Sequence, residues 1–102
     1  LVTAVALFLN AATGAAAELE SPWVVEARIP LGDVQGRLDH LAYDARRERL
    51  FVAELENGSV GVIDLMAQKV QYRISRLDEP QGVAYSAPAD TLYVATGGDG
   101  TL

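Results

Sequence analysis

Short runs of alternating apolar and polar residues follow one another from residue 23 onward, and turn residues separate them. Alternation over a few residues is typical of a half-buried β-strand. Runs of this kind occupy residues 23–29, 40–43, 49–54, 59–64 and 69–75. Asn57 and Gly58 give a strong signal for a two-residue hairpin turn between two of them. The pattern predicts no helix of useful length in this part of the chain and a four-stranded antiparallel meander over residues 38–76.

The pattern occurs twice. Residues 41–60 return as residues 83–102 without a gap, at a constant offset of 42. The matching pairs include Leu41 and Val83, Tyr43 and Tyr85, Leu50 and Leu92, Val52 and Val94, and Gly58 and Gly100. A period of about 40–45 residues built from short strands marks a β-propeller blade. We predict an all-β fold of four-stranded antiparallel blades in an incomplete ring, with a full blade at residues 38–76 and a partial one at 81–102.

Residues 23–30 precede the first blade but resemble its last strand, because Arg28 and Ile29 match Arg73 and Ile74 at an offset of 45. An outer strand placed ahead of the first blade can pair into the last blade and so close the ring. We therefore interpret this segment as a ring-closing strand. The alternative is an ordinary edge strand of the first blade.

The first residues of the chain have a different composition. Residues 1–17 carry no charge, and an apolar run at residues 2–9 is followed by three alanines at 15–17. An apolar stretch that ends in small residues is typical of a secretory signal peptide. A membrane anchor is the alternative, but the run is shorter than the roughly 20 apolar residues that span a bilayer. We expect export to the periplasm or the exterior and a mature propeller domain at residues 18–102.

The charge balance narrows the class of partner. The chain has no cysteine and a formal net charge of −6. Negative charge disfavours nucleic acid and anionic membrane surfaces as partners. The composition thus indicates a soluble protein without a membrane span or a disulfide framework.

The repeated strings resemble a known family. The string D-H-L-A-Y-D at residues 39–44 continues as R-L-F-V-A and N-G-S-V-G-V-I-D, and E-P-Q-G-V-A-Y-S at residues 79–86 continues as L-Y-V-A-T-G-G-D-G-T-L. These strings resemble the YVTN repeat of YncE-like β-propellers, with residues 93–96 close to the eponymous tetrapeptide. The resemblance implies a ring of about seven blades, closed by further blades of the same chain. It implies no single function, because such propellers include binding proteins, lactonase-like hydrolases and quinoprotein subunits.

Meander topology predicts where chemistry can lie. The loop before the first strand and the loop between the second and third strands meet at one edge of an antiparallel blade. In this chain the candidates at that edge are Asp39, His40, Glu54, Glu56 and Asn57. The corresponding residues of the second copy are Gln81, Gly82, Thr96, Gly98 and Asp99, so the repeat itself does not require these ionisable groups.

Each candidate has two interpretations. His40, the only histidine, could act as a base or a metal ligand, or could merely close the inner edge by bonding to backbone. Asp39 is not expected to orient it, since neighbouring strand residues point to opposite faces. Glu54, Glu56 and Asn57 offer oxygen ligands for a cation such as Ca²⁺, or form a solvated turn. The basic stretch at residues 44–49 is interpreted as a solvated hairpin with local ion pairs.

The function expected from these features is an exported binding module that takes a small molecule or a protein at this edge, the top face of the ring. The alternatives are a metal-dependent lactonase-like hydrolase with its site on the same face, and a cell-surface structural repeat. The sequence identifies no cofactor and no catalytic residue, and it leaves open whether a metal binds.

Overall fold

The computed structural model describes residues 21–102, and the predicted signal peptide at residues 1–17 lies outside this range. Within this range the chain forms six strands: β1 (Leu38–Asp44), β2 (Arg49–Glu54), β3 (Ser59–Asp64), β4 (Lys69–Ile74), β5 (Pro80–Ser86) and β6 (Thr91–Thr96). All pairings are antiparallel. β1 to β4 form a four-stranded sheet in chain order, and β5 and β6 form a two-stranded sheet. The predicted all-β class and the four-stranded meander are confirmed.

Polar side chains shape the turns that follow β1 and β3. Oδ1 of Asp44 accepts hydrogen bonds from the backbone N–H groups of Arg46 and Arg47. Oδ1 of Asp64 accepts in the same way from Met66 and Ala67, at 3.0 Å each. Aspartate is favoured at such positions because its side chain satisfies the free N–H groups of a turn. These two turns lie at the same end of the sheet.

The connection between β2 and β3 differs from the prediction. A 3₁₀ turn at Leu55–Asn57 is followed by Gly58 at φ 66°, whose N–H donates to the carbonyl oxygen of Leu55. The two-residue turn predicted from Asn57 and Gly58 is therefore wrong, because four residues separate the end of β2 from the start of β3. Gly58 still has the expected special role, since this φ favours glycine.

The strand predicted over residues 23–29 is absent. Residues 21–37 contain no strand, and Trp23 is 86% exposed rather than packed. A β-strand needs a hydrogen-bonded neighbour, and this segment pairs with none of β1 to β6. The ring-closing role stays a prediction, since it requires a partner strand from another blade. In addition, β1 is longer than predicted and β4 ends one residue earlier.

Each copy begins with one hairpin, and the strands of the two hairpins pair in the same register. Leu38 pairs with Glu54 and Leu41 with Val52 in the first sheet. Pro80 pairs with Thr96 and Val83 with Val94 in the second, which is the same pattern 42 residues later. Each hairpin also carries a register shift just after its first pair. The 42-residue repeat in the sequence is therefore also a repeat in the pairing of the strands.

The core lies between the two sheets. Phe51, Val60 and Val62 are buried there, and residues of β5 and β6 pack against them. The rings of Phe51 and Tyr85 lie 5.4 Å apart across the interface. On the other face of the first sheet, residues 27–31 lie over Leu41, Val52 and neighbouring apolar residues. Among residues 21–102, no helix is long and apolar enough to cross a membrane.

Candidate functional site

Asp39 and His40 occupy a β-bulge in β1. Leu38 pairs with Glu54 and Leu41 with Val52, so these two residues together stand opposite a single residue of β2. An extra residue of this kind disrupts the alternation of side chains and re-aims them. Oδ2 of Asp39 lies 2.7 Å from Nδ1 of His40. The expectation that Asp39 could not orient its neighbour is therefore wrong, because the bulge cancels the alternation on which it rested.

The hydrogen bond gives the imidazole a defined orientation. An ionised carboxylate can only accept, so Nδ1 of His40 carries the proton and donates to Asp39. In the neutral ring, Nε2 is then an acceptor with a free lone pair. The His40 side chain is 72% exposed and that of Asp39 is 24% exposed. The pair can thus present Nε2 to a hydrogen-bond donor or a metal ion from solvent.

Glu54 is placed differently from the prediction, since its side chain is completely buried. Arg73 donates from Nε to Oε1 of Glu54 at 2.8 Å and from Nη2 to Oε2 at 3.1 Å. The hydroxyl of Ser59 donates to the same carboxylate at 3.1 Å. The bond to Glu54 raises the pKa of the Arg73 guanidinium. Glu54 is therefore a partner in an internal ion pair, and both of its carboxylate oxygens are hydrogen-bonded inside the protein.

Glu56 and Asn57 bind the strap, the name used here for residues 31–37. Oε2 of Glu56 accepts from the backbone N–H of Arg37 at 3.1 Å. Oδ1 of Asn57 accepts from the N–H of Gln35 at 3.0 Å, and its Nδ2 donates to Ser59. The structure thus brings both residues to the predicted edge. Their oxygen atoms satisfy backbone donors there.

Arg73 is a structural part of this edge that the sequence analysis did not predict. Its Nη2 donates to the carbonyl oxygen of Leu31 at 2.7 Å, so it holds the start of the strap as well as Glu54. Gly61 was the available signal, because a glycine inside a strand often marks a close approach. A Cβ at Gly61 would lie 3.1 Å from Oε1 of Glu54. A buried glutamate beside such a glycine needs a positively charged side chain as its partner, and Arg73 on the neighbouring strand provides it.

The same edge of the second sheet is closed by its own polar groups. Thr96 and Thr101 donate their hydroxyls to Oδ1 of Asp99 at 2.6 Å and 2.8 Å. These bonds, first from Thr96 and then from Thr101, lower the pKa of Asp99. Asp99 is therefore a turn residue, and its position corresponds to that of Asn57.

At the opposite edge, a polar cluster joins the two sheets. We call it the latch, and its members are Asp44, Arg47, Arg49, Tyr85 and Asp90. Asp44 is buried and accepts from Nε of Arg49 at 2.9 Å and from Nη1 of Arg47 at 3.3 Å. Arg47 also binds both carboxylate oxygens of Asp90, at 2.8 Å and 2.9 Å. The hairpin predicted to be merely solvated is therefore a contact between sheets, although its local ion pairs are present.

The latch shifts the pKa values of its members. Burial acts to raise the pKa of Asp44, but hydrogen bonds from Arg49 and Arg47 outweigh it and lower this pKa from 3.8 to about 2. Tyr85 donates to Oδ1 of Asp90 at 2.6 Å, which raises the pKa of the phenol. The same bond, together with those from Arg47, lowers the pKa of Asp90. The latch thus favours charged carboxylates and a neutral phenol.

A cleft of about 500 Å³ opens between the sheets near the latch, and none of the five predicted site residues lines it. Within residues 21–102, no three His, Asp or Glu side chains are grouped to hold a metal ion. In the same range, every buried side-chain nitrogen and oxygen has a hydrogen-bond partner. Of the predicted residues, His40 and Glu56 are exposed, and His40 is the one whose ring is oriented by a neighbouring carboxylate.

Comparison with known proteins adds no family to this picture. No family model matches the chain, and neither a curated protein nor a solved structure matches it significantly. The functional interpretation therefore depends on the geometry of the edge that carries Asp39 and His40.

Proposed function

We propose that the chain is part of an exported YncE-like β-propeller that acts as a binding module. A four-stranded antiparallel sheet packed on a hairpin of the same register supports blades stacked face to face. The 42-residue offset and the resemblance to the YVTN repeat support the family. In this proposal, further blades of the same chain close the ring. The signal-like composition of residues 1–17 supports export.

The binding site proposed here is the edge that carries Asp39 and His40. The observation that carries the proposal is the 2.7 Å bond between them, with the imidazole 72% exposed. An imidazole held by a carboxylate is pre-organised, so it loses little freedom when a ligand binds. A small molecule or protein group with an N–H or O–H directed at Nε2 would match this site.

A metal-dependent lactonase-like hydrolase is the second candidate. The favouring observation is the same hydrogen bond, since a metal-ligating histidine usually donates its other ring N–H to a carboxylate. Glu54 and Asn57 do not support this candidate, because Arg73 and Ser59 engage the carboxylate of Glu54 and the strap engages Oδ1 of Asn57. Glu56 supports it only through Oε1, since Oε2 accepts from the strap. The remaining ligands would have to come from other blades.

Addition of a small molecule or of a metal ion to the protein tests both candidates, and the ¹⁵N signals of the His40 ring report on the first. The ring ¹⁵N signals belong to the only histidine in the chain, so their assignment is direct. We expect binding of a hit from a small-molecule library to shift the Nε2 signal, and the binding to be lost in His40→Gln and weakened in Asp39→Asn. Met66→Gln, at an exposed turn of the opposite edge, is the matched control and should bind normally. Hits that bind His40→Gln as well as the natural chain would contradict the proposed site.

The metal candidate has its own outcome. Zn²⁺ or Ca²⁺ added alone should raise the melting temperature of the natural chain but not of His40→Gln if His40 ligates a metal. An equal response in both proteins would remove the hydrolase candidate.

Export is tested by sequencing the N-terminus of the natural protein in the exported fraction. We expect that N-terminus near Glu18. An exported protein that retains residues 1–17 would contradict cleavage.

A further inference from the structure

Gly36 in the strap leaves the space that Glu56 fills. A Cβ at residue 36 would overlap the Glu56 side chain, including its Cβ, so rotation of the carboxylate alone could not relieve the contact. Next to this glycine, the N–H of Arg37 donates to Oε2 of Glu56. The contact therefore consists of a glycine in the strap and a carboxylate in the β2–β3 connection.

The second copy has a glycine and a carboxylate at the same two positions with the residues exchanged, although its hydrogen bond joins two backbone groups. A Cβ at Gly98, after β6, would overlap the carboxylate of Asp78, ahead of β5. The N–H of Gly98 donates to the carbonyl oxygen of Asp78 at 3.0 Å. The common register of the two hairpins makes residues 36 and 78 equivalent, and likewise residues 56 and 98. Glycine and carboxylate have thus changed places between the copies.

We infer that each copy holds one carboxylate in this contact, that the two sides are complementary, and that Glu56 is a positioning residue for Asp39 and His40. The strap leads directly into the bulge, so fixing Arg37 fixes the start of the strand that carries the pair. The difference between Glu56 and Gly98 made Glu56 a candidate ligand in the sequence. It is then an exchange of packing partners between the two copies. The positioning role rests on the proposed function, whereas the exchange does not.

A double-mutant cycle tests the exchange in the full chain. Gly36→Asp should lower the folding equilibrium constant about tenfold more than Gly32→Asp, because residue 36 is overpacked. Gly32 is a matched control, since it also has a positive φ (82° against 71°) but nothing lies within 4 Å of its Cβ position. Combined with Glu56→Gly, the extra penalty of Gly36→Asp should disappear. An extra penalty of equal size in both backgrounds would overturn the exchange.

The ring signals of His40 test the positioning role. In Glu56→Gly, we expect the Nδ1 proton of His40 to exchange with solvent at least several-fold faster than in the natural chain. Glu56→Gln should restore slow exchange, because its amide oxygen can still accept from Arg37. Unchanged exchange in Glu56→Gly would overturn the positioning role and leave the cycle above intact. A failure to find any ligand would contradict the proposed function without affecting either readout.

Discussion

Single residues decide what the candidate edge can do. Glu54 and His40 stand in the same small region, but Glu54 is buried against Arg73 while His40 is exposed beside Asp39. A buried carboxylate with a bonded guanidinium stabilises the fold only as long as both partners are present. An exposed imidazole with one bonded nitrogen keeps the other free for a ligand. Substitutions at the two residues should therefore affect different properties.

Replacing Glu54 should reduce stability. In Glu54→Gln the guanidinium of Arg73 loses its counterion inside the protein, and we expect the free energy of unfolding to fall by about 3 kcal/mol. Urea denaturation measures this loss. Glu48→Gln, in an exposed turn, is the control and should change stability by less than about 0.5 kcal/mol. Equal midpoints for the two variants would show that the ion pair contributes nothing.

Tyr85 should ionise at a higher pH than an ordinary tyrosine. Its pKa is raised above the ordinary value of 10.0, first by the hydrogen bond to Asp90. The raised pKa means that the neutral phenol stabilises the fold below the ordinary value, and that this contribution is lost as the pH rises through the folded value. Ultraviolet absorbance of tyrosinate should show a late phase that Tyr85→Phe removes. Absorbance changes of the same shape above the ordinary value in both proteins would contradict the latch geometry.

Low pH should weaken the latch. The pKa of Asp44 is lowered from 3.8 to about 2, so its contribution is complete above the higher value and is lost as the pH falls through the lower one. We expect stability to drop in this window, and the drop to be smaller in Asp44→Asn, which has no carboxylate to protonate. Thermal melts across this pH range measure both. An identical acid response in the variant would show that other groups cause it.

At the scale of strands and turns, the sequence predicted β2 and β3 to the residue, because apolar strand-forming residues fill them and turn residues flank them on both sides. It missed the bulge in β1, since no residue there marks the extra position, and with it the contact between Asp39 and His40. It also placed Glu56 and Asn57 at the correct edge without finding what they bind. Their partners are backbone groups of the strap, which leave no trace in residue type.

The β2–β3 connection offers a paired test of backbone strain. Gly58 and Gly100 are equivalent residues with φ 66° and 68°, but a Cβ at Gly58 would lie 2.8 Å from the carbonyl oxygen of Leu77, and one at Gly100 would meet nothing. Gly100→Ala should cost about 1 kcal/mol from strain alone, and Gly58→Ala distinctly more. Chemical denaturation compares them. A smaller cost at Gly58 would contradict the close approach to Leu77.

At the scale of the whole molecule, two sheets share one apolar core and are joined by the latch at the edge opposite the candidate site. The latch and the candidate site therefore lie at opposite edges of the sheets, and the Glu54–Arg73 ion pair lies at the edge of the candidate site. The periodic sequence predicted the class and the sheet order, because burial of alternate residues leaves few other solutions. The strand at residues 23–29 could not be judged from its composition alone, since a strand forms only where a partner lies beside it.

The Asp39–His40 pair is central to the proposed function, and a two-bond ¹H–¹⁵N spectrum of the His40 ring tests its geometry most directly. In the neutral ring, we expect one tautomer with the proton on Nδ1 and a free Nε2, and loss of that preference in Asp39→Asn. A ring that averages between both tautomers in the natural chain, or that carries its proton on Nε2, would contradict it.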